Sequence, residues 1–192
     1  MDADIVVRAQ HGDQASFASL TEAIDDRFHG VAFGILRDME LAQDAVQAAL
    51  LTLWRDLPKL RDPTAFEAWS YRLLVRACYA ESRRARRWLP NLAGGTATDG
   101  PVDGGFAAIV DRDQLERGFR RLSMDQRAVV VLHHYLGMPL DRVAETLGIP
   151  EGTARSRLYR AVGALRAAIE ADSRAPAPAR TAAERIPPDV VR

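Results

Sequence analysis

The stretch from Met138 to Ala168, MPLDRVAETLGIPEGTARSRLYRAVGALRAA, holds two helical periods separated by a glycine. In the first, Leu140, Val143, Ala144 and Leu147 recur at i, i+3, i+4 and i+7 and make one apolar stripe. Gly148 stands where a helix stop needs a left-handed backbone, which glycine adopts without steric cost. Pro150 suits a first helical position, where its missing N–H is not needed, and Glu151 suits the positive end of the helix dipole. In the second period Ala154, Leu158, Ala161, Val162, Leu165 and Ile169 form another stripe. At about 100° per residue, Thr153, Ser156, Arg157 and Arg160 project away from that stripe, and Arg155 lies on its flank. A short helix, a glycine turn and a second helix with an outward arginine face make the helix-turn-helix pattern, whose second helix enters the DNA major groove. A helical hairpin with solvated arginines would look the same locally, so the rest of the chain has to decide.

Charge is the next constraint. Lysine plus arginine balance aspartate plus glutamate at 26 each, but the charges are not mixed. Residues 1–58 and 89–116 are acidic, whereas residues 59–88 and 117–171 are basic. Two basic segments separated by acidic ones suit two contacts with a polyanion. The single cysteine, Cys78, can form neither an internal disulfide nor a cysteine-based zinc site, and its helical, apolar setting suits a small core residue. His133 and His134 are adjacent, so on a helix they diverge and make no metal pair; surface or capping roles are expected. No metal cluster, nucleophile–base set or glycine-rich phosphate loop is present, and no cofactor, metal or enzymatic activity is expected. No apolar run reaches membrane-span length and the start is not a signal peptide, which places the expected site of action in the cytoplasm without membrane insertion.

Taken in order, residues 4–11 read as a short helix stopped by Gly12. Asp13 and Asp38 read as caps of the helices that follow, and nothing before residue 88 alternates like a strand. The helix after Asp38 carries Gln43, Asp44 and Gln47 close together, with Leu51 and Trp54 among its apolar positions, and Trp54 is expected in the core. Asp62 and Pro63 open a helix with Phe66, Trp69 and Tyr71, which runs into the arginine cluster Arg83, Arg84, Arg86 and Arg87. Rings followed by arginines suit unpaired bases and phosphates. The simpler reading makes Phe66 and Trp69 core and the arginines surface. Residues 89–112, rich in Gly, Thr, Asp and Pro, read as a flexible acidic linker, so the halves are expected to fold separately. Ser123 and Gln126 form a capping box ahead of AVVVL, and residues 171–192, with their prolines, read as a disordered tail.

Both halves resemble one family, the bacterial RNA polymerase sigma factors of the extracytoplasmic-function group. GDQASF followed by AQDAVQAALLTLW, with Asp44, Val46, Gln47, Leu51 and Trp54, resembles the family's polymerase-binding region. DPTAFEAWSYRLL, with Phe66, Trp69, Tyr71 and Arg72, resembles the region that melts the promoter and reads its minus-ten element. LSMDQRAVVVLHHYLGMPLDRVAETLGIPEGTARSRLYRA resembles the region that binds the minus-thirty-five element. Ala48, Arg76 and Ala80 depart from the family pattern, which often has an acidic residue, an asparagine and an aspartate there.

The resemblance implies an all-α protein of two small helical domains: 1–88 for polymerase and the minus-ten element, and 113–170 for the minus-thirty-five element. It implies polymerase contacts at Gln43, Asp44, Gln47 and Leu51. Minus-ten contacts would fall at Phe66, Trp69, Tyr71, Arg72, Arg76, Arg83 and Arg84, and minus-thirty-five contacts at Thr153, Arg155, Ser156, Arg157 and Arg160. The implied partners are core RNA polymerase, promoter DNA and an anti-sigma factor. The rival, a stand-alone helix-turn-helix repressor or activator, needs a dimer and a palindromic operator and leaves residues 38–54 unexplained.

Overall fold

Helix ends in this chain are set by side chains that take up backbone N–H groups otherwise left without partners. Asp13 accepts from the Ala15 N–H and the Ser16 hydroxyl, Asp38 from the Leu41 N–H and Asp62 from the Thr64 N–H. Ser123 and Gln126 satisfy each other's backbone reciprocally, the expected capping box. The computed structural model describes residues 2–88 and 112–174, and every regular element among them is helical. The first unit comprises α1 (Ala3–Gln10), α2 (Gln14–Leu36), α3 (Met39–Asp56) and α4 (Phe66–Trp88). The second comprises α5 (Arg112–Arg121), α6 (Met124–Val130), a π-helical turn over Val131–Tyr135, α7 (Leu140–Leu147) and α8 (Glu151–Arg174). The expected linker, 89–112, lies outside the described residues except for Arg112, which begins α5. The expected tail does too, except that α8 continues about one turn into it.

The first core is built by α2, α3 and α4. Leu20, Ile24, Phe28, Val31 and Ile35 of α2 meet Leu53 of α3 and Leu74 and Cys78 of α4. Ala42, Ala45 and Ala49 line the buried face of α3, and side chains this small let it lie close to α4. Burial pushes the Cys78 thiol up to about 12, so it acts as the small apolar residue expected and not as a nucleophile. In the second unit α8 is cradled by α5, α6 and α7 through Ala154, Ala161 and Ala168, a seven-residue repeat of small buried side chains.

The halves were expected to fold separately, each with its own helices, and the described residues of the two units also pack on each other. The C-terminal half of α2 lies against α6 and the π-helical turn, and α4 lies against α7. Gly30 and Gly34 form a notch on α2 for the Tyr135 ring and Val131. A Cβ added at Gly34 would stand 2.8 Å from Val131 Cγ2. Arg127 of α6 donates from Nε to the Ile35 carbonyl at 2.7 Å, capping an acceptor in the last turn of α2 with a positive charge. Arg37, which ends α2 in a left-handed conformation (φ 58°), pairs with Glu116 of α5 and lies over the Phe33 ring. A left-handed backbone on a residue with a side chain costs roughly 1–2 kcal/mol, so these contacts hold Arg37 in place.

Candidate nucleic-acid interface

Three outward surfaces carry the residues singled out in the sequence. The first is on α3. With Ala45, Val46, Ala49 and Leu53 turned inward, Gln43, Asp44, Gln47 and Leu51 face solvent together. Leu51 is 66% exposed, unusual for a leucine amid a well-formed core. Trp54 belongs to the same surface. It was expected in the core, but it is 45% exposed and packs edge-on against Phe17, with ring centroids 4.6 Å apart. The inward positions of α3 are filled by residues no larger than leucine, leaving the indole at the rim. The result is an apolar ridge beside Asp44, the kind of exposed patch that marks a protein contact.

The second surface is on α4. Phe66 and Tyr71 are each 1% exposed, and Tyr71 packs 5.4 Å from Phe28, centroid to centroid. Neither ring offers a face to a base, so both are corrected from DNA contacts to core residues. Periodicity alone cannot make that distinction, because core rings and stacking rings share the same spacing. Trp69 is half-buried beside Phe66. Arg76, Arg83 and Arg84 are exposed, and Arg84 has a loose partner in Glu81 at 3.6 Å. Arg72 is held instead by Glu145 of α7 at 2.8 Å. Arg142 and then Arg72 keep the Glu145 carboxyl below its ordinary value. Ala80 is exposed like Arg76, so neither departure from the family pattern on α4 falls in the core.

The third surface is the helix-turn-helix itself. Gly148 has φ 66°, the Ile149 N–H donates to the Ala144 carbonyl and the Gly148 N–H to the Glu145 carbonyl. Those two bonds make a Schellman stop, which fixes the angle at which α8 leaves α7. The Pro150 carbonyl accepts from Thr153 and Ala154, so Pro150 stands one position ahead of the first helical residue rather than at it. Ser156 and Arg160 project outward; Arg160 folds back along the helix, donating from Nε to the Ser156 carbonyl at 3.2 Å. Arg155 lies on the flank in an i, i+4 pair with Glu151 at 2.6 Å, and Thr153 is half-buried near the helix start. Arg157 departs from the expected outward direction. Its side chain is 24% exposed and its Nη2 lies 2.7 Å from Asp125 Oδ2 of α6. Sequence reasoning also passed over Tyr159, 82% exposed between Arg155 and Arg160, although an aromatic off the apolar stripe was a readable signal.

Tyr79 was missed too, and no local signal could have found it. Its hydroxyl donates to Asp125 Oδ1 at 2.7 Å across the junction. Burial and the aspartate together push the phenol above its ordinary value. His133 has its Nδ1 2.7 Å from the Met138 carbonyl, closing the turn after the π-helical segment, which is the capping role expected. Among the described residues no group of three or more His, Cys, Asp and Glu side chains is placed to hold a metal ion, and no helix is long and apolar enough to cross a membrane.

Described residues that are all helical, with a helix-turn-helix, two basic surfaces and, on the first unit, an exposed apolar ridge, define a class: a DNA-binding transcription protein. The comparisons with known proteins sharpen it. Residues 20–88 match sigma-70 region 2 and residues 112–165 match sigma-70 region 4. The chain is 32% identical over 169 residues to the ECF RNA polymerase sigma factor SigL of Mycobacterium tuberculosis, spanning 83% of this chain and 94% of that one. It is 31% identical over 160 residues to SigM of the same organism, spanning 83% and 80%. It is 28% identical over 183 residues to the RNA polymerase sigma-H factor of Pseudomonas aeruginosa, spanning 88% and 94%. In fold it is similar to the sigma factor RpoE of Bartonella quintana, solved with the anti-sigma factor NepR (TM-score 0.69, 21% identity, 81% of this chain and 98% of that one). The chain belongs to the extracytoplasmic-function sigma factors of the sigma-70 family. It is a promoter-directing subunit of RNA polymerase, and a stand-alone repressor is not favoured.

Proposed function

We propose that the α3 ridge docks on core RNA polymerase through Gln43, Asp44, Gln47 and Leu51, with Trp54 added from the structure. The observation that carries this reading is the ridge itself: an exposed leucine and tryptophan on the same outward face as an exposed acidic residue, opposite the buried face of α3. The minus-ten element is met by α4 through Trp69, Arg72, Arg76, Arg83 and Arg84, with Phe66 and Tyr71 shaping that face from beneath. The minus-thirty-five element is met by α8. Ser156, Arg157 and Arg160 reach bases, Arg155 reaches phosphate, and Thr153 lies near the helix start. The protein acts in the cytoplasm and has no enzymatic activity of its own; opening of the duplex draws on binding energy from captured bases. An anti-sigma factor is its inhibitory partner, a reading supported by the fold neighbour RpoE, solved with the anti-sigma factor NepR.

The test is run-off transcription with purified core polymerase on genomic promoter fragments. The wild type should give discrete transcripts, and Asp44→Arg should abolish them at limiting sigma while leaving helicity intact. Full transcription by Asp44→Arg would remove α3 as the docking surface.

A further inference from the structure

We propose that the crevice between α4 and α7 binds a phosphate-bearing small molecule, held by Arg27, Arg142, the Tyr71 hydroxyl and the open N-terminus of α7. The crevice has a volume of about 760 Å³, within the roughly 300–1,000 Å³ of small-molecule sites. Pro139, Arg142 and Thr146 run along one wall, at i, i+3 and i+7 on a single face of α7 and its N-cap. Pro139 stands at the N-cap position and brings no side chain that could take up the first N–H groups of the helix. Those donors and the positive end of the helix dipole favour an anion. Arg27 of α2 and Tyr71 of α4 line the same space.

The Tyr71 hydroxyl is the group that asks for a ligand. The residue is 1% exposed and its ring packs against Phe28, yet the hydroxyl oxygen is buried with no hydrogen-bond partner. The charges that act on it belong to Arg27 and Glu67, both of which line the crevice, so the hydroxyl end is turned to that space. Burial raises the phenol above its ordinary value, which keeps the proton available to an acceptor. Arg27 meets Glu67 only loosely, at 3.7 Å, and Arg142 gives Nη1 to Glu145, which leaves the rest of its guanidinium donors for a ligand. Of the two acids that line the crevice, Asp62 is engaged by the Thr64 N–H and hydroxyl, so Glu67 is the acid an anion has to face. Donors drawn from α2, α4 and α7 outnumber the oxygens of a carboxylate, whereas a terminal phosphate presents three acceptor oxygens and more charge. A bare phosphate would fill only part of the crevice, so the class that fits is a phosphorylated small molecule. Because the donors come from both units, the ligand bridges them, and binding adds to the stability of the chain.

The experiment titrates the full chain with inorganic pyrophosphate and with ATP at matched ionic strength, by isothermal titration calorimetry, and records thermal unfolding alongside. Pyrophosphate carries the phosphate chemistry alone. Tighter binding of ATP would place its nucleoside in the crevice as well. The wild type should bind saturably at one site, with an unfolding midpoint that rises with probe concentration. Tyr71→Phe removes only the unpartnered hydroxyl. It should leave the free protein as stable as the wild type or more so, and weaken binding about tenfold. Arg27→Gln and Arg142→Gln should each weaken binding by a similar factor, and Glu67→Gln, which removes the facing acid, should tighten it. Arg8→Gln, which changes an exposed arginine of α1 that does not line the crevice, should alter affinity less than about twofold. Failure of both probes to bind saturably would overturn the proposal. Binding that Tyr71→Phe leaves unchanged while Arg8→Gln weakens it would also overturn it, since the probe would then be spread over the basic surfaces. The readout uses neither polymerase nor promoter DNA, so it succeeds or fails apart from the assignment of docking and promoter contacts.

Discussion

Leu51→Ala separates docking from folding more cleanly than any other change in this chain. At 66% exposure the Leu51 side chain adds little to the first core, so truncation leaves stability within about 0.5 kcal/mol, the range of ordinary surface substitutions. Full burial of a leucine is worth about 1.5–3 kcal/mol. Covering the exposed two-thirds against polymerase is therefore worth about 1–2 kcal/mol. Losing that should weaken core binding by about 5- to 30-fold. The assay is fluorescence titration of labelled core polymerase with sigma, run beside urea denaturation of the free protein. Trp54→Ala should weaken binding similarly, but it also removes the edge contact with Phe17. Being 45% exposed, Trp54 should lose less stability than the roughly 3–5 kcal/mol of a buried tryptophan. Unchanged polymerase affinity for Leu51→Ala at unchanged stability would refute the ridge as a docking surface. A loss of stability larger than 1 kcal/mol, roughly the centre of the point-mutant distribution, would refute its exposed placement.

Three further outcomes follow from the geometry. Arg155→Ala, on the flank of α8, should weaken holoenzyme binding to all promoter variants alike and reduce the salt slope by roughly 1, whereas Arg160→Ala should cost about 1–3 kcal/mol at one position of the minus-thirty-five element; filter binding across single-base variants at several salt concentrations distinguishes them. Phe66→Ala should destabilise the free protein by about 3–5 kcal/mol, and a stable Phe66→Ala variant defective only in promoter opening would return that ring to the DNA surface. Arg55 and Lys59 hold the Asp56 carboxyl at about 2, below its ordinary 3.8, so its contribution is complete above the ordinary value and fades as pH falls towards 2. Urea denaturation of wild type against Asp56→Asn should show the stability difference narrowing across that acid range, and a difference that stays constant would deny the pairing.

The sequence carried the helices, their caps and the helix-turn-helix because each is decided within a turn or two of chain. Asp13, Asp38, Asp62 and the Ser123–Gln126 box act on N–H groups two or three residues away, and Gly148 supplies its own φ. The α3 row Gln43, Asp44, Gln47 and Leu51 was legible for the same reason: helical period alone puts these residues on one face. Which of two apolar faces becomes core was not legible. Phe66, Tyr71 and Trp54 sit at equally helical spacings, yet two are sealed and one stands at the rim. That choice depends on how large the neighbouring helices' side chains are and how closely those helices approach.

The junction was decided by tertiary structure alone. Its contacts join residues far apart in the chain: Tyr79 and Asp125 are 46 residues apart, Arg72 and Glu145 are 73, and Arg127 and Ile35 are 92. A glycine-rich linker without apolar period says that two halves can move independently, but it carries no information about whether their surfaces fit. The fit comes from a notch at Gly30 and Gly34, two residues whose effect is the absence of a side chain and which leave no mark in a hydrophobic pattern. The turn of Arg157 towards Asp125 has the same origin. Helical period aims the side chain away from its own stripe, but a carboxylate on another helix, within reach of a long flexible guanidinium, decides where it ends.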